Sequence, residues 1–149
     1  MKSPDFGAED SMQTWKMPWQ LLLLASLSCG GTWVDDDGTF NRVFGFSKPQ
    51  DVDVLHSYYW KSPHWSTEYS YFIALKAPPK FTSGVTSAAL MASVAPDRNV
   101  LNSCGDKPPQ WFLPKSLTNY EAWVPKAAVG YRVFRDKSDG TLFLCDERL

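Results

Sequence analysis

The sequence of 149 residues has no apolar run long enough to cross a lipid bilayer. A membrane-spanning helix needs about 20 consecutive apolar residues. The most apolar stretch begins with four leucines at Leu21 and reaches only to Cys29, where Gly30 and Gly31 follow. The sequence therefore predicts no membrane-spanning helix.

The chain also has few histidines and cysteines and almost no net charge. The chain has two histidines, three cysteines and a formal net charge of -1 at pH 7. Without a basic excess, the sequence has no electrostatic footprint for nucleic acid. It also has no nucleophile elbow, phosphate-binding glycine loop or zinc-protease helix motif. These absences favour a protein that is not an enzyme, uses no cofactor or metal and binds no nucleic acid.

The apolar stretch has instead the length of the core of a secretory signal. Such a signal has a positively charged segment, about 7–15 apolar residues and then small residues. Lys16 precedes the leucines, and Ser26 and Ser28 lie at their end. We predict that residues 1–28 form a signal peptide, with Met12 as a second candidate for the natural start because the first residues are acidic. The alternative is a buried apolar segment of the fold.

Cys29 makes residues 12–31 similar to the start of a bacterial lipoprotein precursor. Ser28 before the cysteine and two glycines after it are typical of the site where such precursors are cleaved and lipidated. The order Ser26-Leu27 departs from the pattern, in which leucine lies three residues before the cysteine. The resemblance implies that Cys29 carries acyl chains such as palmitate, which anchor the protein in the outer membrane facing the periplasm.

Composition divides the rest of the chain into a linker and one domain. Residues 29–50 contain many glycine, aspartate and serine residues with little periodicity, which predicts a flexible, lipid-anchored tether. Residues 51–149 are long enough for a single globular domain with one core. If Cys29 carries lipid, Cys104 and Cys145 remain as a pair, and an oxidising compartment favours a disulfide between them.

Strand-like alternation dominates the predicted domain. Residues 52–61 and 67–76 alternate with period two, which predicts an antiparallel hairpin. In the first of these strands, the alternation places five side chains on one face: Val52, Val54, His56, Tyr58 and Trp60. Asp139-Gly140, between the alternating runs 131–136 and 141–145, predicts a second hairpin.

Two shorter segments, 111–113 and 120–124, are further strand candidates, and Ser83–Val94 is the one helix candidate. The predicted fold class is α+β and mostly β. It consists of a small antiparallel sheet of five to six strands with at most one helix.

The first predicted hairpin carries the densest group of aromatic and histidine side chains in the chain. We take this group as the candidate ligand-binding site: His56, Tyr58, Trp60, His64 and Trp65. Tyrosine and tryptophan offer a large contact area with a polar tip, as binding surfaces require. One alternative is a metal site with Glu68 as a third ligand. The other is a set of cross-strand aromatic pairs that only stabilises the sheet.

These observations predict a non-enzymatic, lipid-anchored protein of the bacterial cell envelope. It would bind another envelope component, expected to be a protein, through its aromatic-rich sheet. One alternative is a small secreted or periplasmic hydrolase or metal-binding protein centred on His56 and His64. Another is an inhibitor or immunity-type protein that blocks a specific enzyme.

Overall fold

The computed structural model of the protein describes residues 30–64, 68–105 and 107–149. The predicted signal peptide, the predicted lipidation site Cys29 and the candidate site residue Trp65 lie outside these described residues. Within the described ranges, no helix has both the length and the apolar character that crossing a bilayer requires.

In the part of the chain that the structure describes, seven antiparallel strands form one sheet. In chain order they are β1 (Gly31–Val34), β2 (Asp53–Lys61), β3 (Tyr69–Lys76), β4 (Met91–Val94), β5 (Tyr120–Pro125), β6 (Arg132–Asp136) and β7 (Leu142–Arg148). Their order across the sheet is β1-β2-β3-β7-β6-β5-β4. The mostly β class is confirmed, but the predicted five to six strands are too few. The edge strands β1 and β4 were missed because four residues are too short to show a period of two.

Both predicted hairpins are present. Strands β2 and β3 pair from Asp53 opposite Lys76 to Lys61 opposite Tyr69. Strands β6 and β7 pair through the Asp139-Gly140 turn, where Gly140 has a φ of 72°. Glycine adopts such positive φ angles without the steric penalty that a Cβ would bring.

A β-bulge at Leu55 corrects the predicted faces of β2. The register shifts between Val54, which lies opposite Leu75, and His56, which lies opposite Ala74. A bulge inserts one extra residue, so the side chains after it exchange faces. Val54 therefore lies on one face of the sheet, whereas His56 and the next alternate residues, Tyr58 and Trp60, lie on the other.

Within the described ranges, three short α-helices and one 3₁₀ turn replace the single helix that was predicted. They are α1 (Thr39–Phe44), α2 (Pro79–Val85), α3 (Arg98–Asn102) and the 3₁₀ turn Leu117–Asn119. The predicted helix Ser83–Val94 is wrong, because α2 ends at Val85 and the residues from Met91 pair with β5. Gly84, Val85 and Thr86 have weak helix propensity, so α2 stops there.

The predicted strand at residues 111–113 is also absent. This segment forms a turn after Pro109, and Leu113 has a φ of 49°, which is incompatible with an extended strand. Phe112 and Leu113 are nevertheless buried. The apolar pattern that resembled a strand belongs to a loop that covers one face of the sheet.

Two hydrophobic clusters lie on opposite faces of the sheet. The first cluster is covered by α1 and α2, and its largest fully buried members are Phe40, Ile73, Leu75, Leu142 and Leu144. The second cluster is covered by α3 and the loop that contains Phe112, and it includes Phe72, Tyr120, Phe134, Phe143 and both bonded cysteines. The sheet is thus buried on both faces, and this burial supplies most of the stabilisation.

The fold begins earlier than the predicted domain start at residue 51. Residues assigned to the tether form β1, which pairs with β2, and α1, which places Phe40 at 0% exposure. Phe40 packs against Phe44 at 4.5 Å and Phe81 at 6.0 Å between ring centroids. Scattered glycines and aspartates concealed these two short elements, so the flexible linker prediction is wrong for residues 31–44.

Candidate ligand groove

The structure brings three of the predicted site residues together and separates a fourth. His56, Tyr58 and Trp60 lie on the same face of β2, which carries the second hydrophobic cluster. His64 is exposed in the turn after the strand, and its backbone N–H donates to Ser62 Oγ at 3.2 Å. The strand alone carries the chain about 16 Å from His56 to Lys61. The two histidines therefore do not form one site.

His56 contacts the loop rather than an open site. Its ring stacks on Trp111 at 5.3 Å between centroids, with an interplanar angle of 24°. Its Nδ1 lies 3.5 Å from Asp35 Oδ1, and that same oxygen accepts the backbone N–H of Ser57 at 2.8 Å. His56 thus joins β2 to the segment after β1 and to the covering loop.

Tyr58 and Trp60 line a groove of about 360 Å³. Phe72 from the neighbouring strand contributes to the same wall, and its ring lies 6.3 Å from that of Tyr58. Lys107 and Glu147 bring one positive and one negative charge to the lining. A volume of this size is at the small end of ligand pockets, which combine apolar walls with a few polar groups.

The Cys104–Cys145 disulfide lies beside this groove. The predicted pairing is confirmed, and both cysteines are fully buried. Cys145 lies opposite Phe72 in the register of β3 and β7, and Gly105 follows Cys104 directly into the groove lining. The bond therefore connects the segment after α3 to the central strand and positions one wall of the groove.

Gly105 has a backbone conformation that favours glycine, and the Glu147 carboxylate packs against it. Its φ is 113°, and a Cβ built there would lie 2.8 Å from Glu147 Oε1. The Glu147 carboxylate thus occupies the space that a side chain at position 105 would fill. Both residues line the acidic side of the groove.

The sequence reasoning missed Gly105, Lys107 and Glu147. The predicted disulfide could have identified them, because residues adjacent to two bonded cysteines must lie close together. Gly105 is one residue from Cys104, and Glu147 is two residues from Cys145 on the same face of β7.

The opposite face of the same strands carries a row of tyrosines. Tyr59, Tyr69 and Tyr71 lie 6.2–6.5 Å apart between ring centroids, with interplanar angles of 6–15°. The Tyr69 hydroxyl donates to Asp146 Oδ2 at 2.9 Å. Burial and this hydrogen bond raise the pKa of Tyr69 to about 12. The row stays uncharged at neutral pH, and it runs from Tyr71, a buried member of the first cluster, to the partly exposed Tyr59 and Tyr69.

The described residues contain no group of three or more histidine, cysteine or acidic side chains arranged to hold a metal ion. The alternative of a zinc or copper site on His56, His64 and Glu68 therefore gains no support from the geometry. The groove offers aromatic contact area, one cation and one carboxylate. This combination suits reversible binding of a ligand that has both apolar and charged groups.

Comparison with known proteins finds no matching family model, no matching curated protein and no matching solved structure.

Proposed function

We propose that this chain is a non-enzymatic, lipid-anchored protein of the bacterial cell envelope that holds a segment of another envelope protein in the groove beside its disulfide. The single observation that carries the binding role is the groove itself. Tyr58, Trp60 and Phe72 line it with aromatic surface, and Lys107 and Glu147 add opposite charges. Aromatic side chains in partly desolvated clefts dominate the binding energy of most protein interfaces.

The location within the envelope is supported by separate features. The lipoprotein-like residues 12–31 support export from the cytoplasm and a lipid anchor at Cys29. The Cys104–Cys145 disulfide suits an oxidising compartment such as the periplasm. The lipidation prediction at Cys29 does not depend on the groove, so the anchor and the binding role are tested separately.

Site-specific photo-crosslinking in the native envelope tests the binding role. A benzophenone amino acid placed at Ser70, in the groove lining, should give a covalent adduct of one defined mass. The matched control places the same group at Leu90, which is 64% exposed and belongs to neither hydrophobic cluster. Trp60→Ala in the Ser70 probe protein should abolish the adduct by removing contact area.

Equal adducts from both positions, or an adduct that Trp60→Ala leaves unchanged, would contradict the groove as the binding site. Circular dichroism of the Trp60→Ala protein must show an unchanged sheet spectrum and melting profile for the comparison to hold.

Fractionation of Cys29→Ala cells tests the anchor. The wild-type protein should sediment with membranes and carry the mass of a diacylglyceryl group, and globomycin should cause the unprocessed form to accumulate. The Cys29→Ala variant should lack the added mass. A wild-type protein recovered without lipid mass would refute the anchor. It would not affect the crosslinking test of the groove.

A further inference from the structure

One end of the sheet gathers cations and aromatic side chains on a single face. The register places Gly31 opposite Lys61, Lys61 opposite Tyr69 and Tyr69 opposite Arg148. Residues directly opposite each other in antiparallel strands share a face. Lys61, Tyr69 and Arg148 therefore form one row across three strands, which we name the strand-end patch.

The two cations of the strand-end patch are accessible. Lys61 and Arg148 are exposed, and within the described part of the chain neither takes part in an ion pair. The nearby Asp146 carboxylate is occupied, because it accepts the Tyr69 hydroxyl and lies 3.5 Å from Arg132. The positive charges of the row are thus available to an external anion.

Two further acidic residues, Glu147 and Glu68, lie at the same end of the sheet as the strand-end patch. Glu147 belongs to the groove on the opposite face, where it lies against Gly105. Glu68 directly precedes Tyr69 and is partly exposed, so it reduces the positive potential of the row. This makes Glu68 a useful site at which to raise that potential by substitution.

Aromatic side chains extend the patch towards the edge of the sheet. The ring of Trp33 lies over Gly31, where a Cβ would be 3.2 Å from the indole. Tyr59 lies 5.8 Å from Trp33 between ring centroids, and both are partly exposed. Tryptophan and tyrosine concentrate at membrane–water interfaces, because each has an apolar body and a polar tip.

The chain enters the fold at this same end. Gly30 is packed so closely on Pro63 that a Cβ at position 30 would lie 2.2 Å from the Pro63 Cα. Consecutive Cα atoms are about 3.8 Å apart, so a lipid carried by the residue before Gly30 would hold this end of the sheet against the bilayer. No flexible spacer separates such a lipid from the fold.

From these observations we propose that the strand-end patch rests on the anionic headgroups of the membrane and fixes the orientation of the domain on its surface. Lys61 and Arg148 would contact lipid phosphates, and Trp33, Tyr59 and Tyr69 would lie at headgroup depth. The location of the patch at the membrane depends on the proposed anchor, whereas its affinity for anionic lipid is a property of the folded domain.

Vesicle co-sedimentation of the full chain without lipid tests this proposal. Cys29→Ala removes the acylation site, and Leu22→Ser with Leu23→Ser suppresses insertion of the leucine run. Binding to vesicles of phosphatidylglycerol and phosphatidylcholine should exceed binding to phosphatidylcholine alone and should weaken as salt is added.

Each basic residue near an anionic surface contributes about fivefold in affinity. Lys61→Gln with Arg148→Gln should therefore lower affinity about 25-fold, and Glu68→Gln should raise it.

The matched control is Lys80→Gln with Lys137→Gln, which removes the same charge from two exposed lysines near the opposite end of the sheet. It should bind like the parent protein. A control that loses as much affinity as the patch variant, or a parent that binds both vesicles equally, would overturn the proposal. Patch-dependent binding together with an unlipidated native protein would refute the anchor alone, and a lipidated protein without patch-dependent binding would refute the patch alone.

Discussion

At the scale of single residues, Asp136 shows how this fold uses a buried charge. Its Oδ1 accepts the backbone N–H and the hydroxyl of Ser138, at 2.8 and 2.7 Å, and its Oδ2 accepts the Lys115 ammonium at 2.6 Å. The hydrogen bonds from Lys115 and Ser138 lower the pKa of Asp136 to about 2. A buried carboxylate is tolerated when donors satisfy it in this way.

Protonation of Asp136 should lower the free energy of unfolding at acidic pH. Its pKa is about 2 in the folded state and about 3.9 in the unfolded chain, so its stabilisation is present above pH 4 and lost as pH falls towards 2. Urea unfolding of the wild type should show this loss between pH 4 and pH 2. Asp136→Asn should be less stable at pH 7 and should have a flatter profile below pH 4. Parallel profiles for the two proteins would contradict the assignment.

Gly140 should be replaceable only by residues that tolerate positive φ. Its φ is 72°, and a Cβ built there meets no atom within 4 Å, so only backbone strain opposes a substitution. Gly140→Ala should destabilise the protein by about 1–2 kcal/mol, and Gly140→Asn by less, because asparagine tolerates the left-handed region. Thermal melts of the two variants provide the test. Equal losses would point to a cause other than φ.

At the scale of elements, the long strands were predictable and the short ones were not. Alternation over eight or nine residues identified β2 and β3, and Asp139-Gly140 identified the turn between β6 and β7. The bulge at Leu55 was not predictable, because no glycine or proline marks it. The helix prediction for Ser83–Val94 failed because small apolar residues at helical spacing suggested a helix, whereas pairing with β5 decides the conformation of Met91–Val94.

The packing of α1 gives a direct test of the early start of the fold. Phe40 is fully buried among Phe44, Phe46 and Phe81, whereas Phe46 is 51% exposed. Phe40→Ala should lower the free energy of unfolding by about 3–5 kcal/mol, as expected for a buried phenylalanine. The matched control, Phe46→Ala, should lower the free energy of unfolding much less. Urea unfolding checks both, and a neutral Phe40→Ala would show that α1 does not stabilise the fold.

At the scale of the whole molecule, one sheet separates two cores and one disulfide crosses between distant parts of the chain. Cys104 follows α3, and Cys145 lies in β7, 41 positions later. The sequence predicted this bond from the number of cysteines. It did not predict the groove beside the bond, because Lys107 and Glu147 meet Tyr58 and Trp60 only through the order of the strands.

Reduction of the disulfide should weaken the fold and the groove together. Closing a loop of this length in the unfolded chain stabilises a protein by about 4 kcal/mol on entropic grounds. Cys104→Ala with Cys145→Ala should lower the unfolding free energy by a similar amount and should reduce the crosslink from Ser70. Mass spectrometry of the wild type, alkylated before and after reduction, should show two thiols only after reduction. Two alkylated thiols in the unreduced protein would contradict the bond.

The position of β7 in the sheet has a consequence for the order in which the chain folds. It is the last of the seven described strands in chain order, yet it lies between β3 and β6 and pairs with both. Neither hydrophobic cluster can close until residues 142–148 have emerged, since Leu142 and Leu144 belong to one cluster and Phe143 and Cys145 to the other. Long-range pairing of this kind delays folding. Both clusters of a nascent chain therefore stay open until β7 has been synthesised.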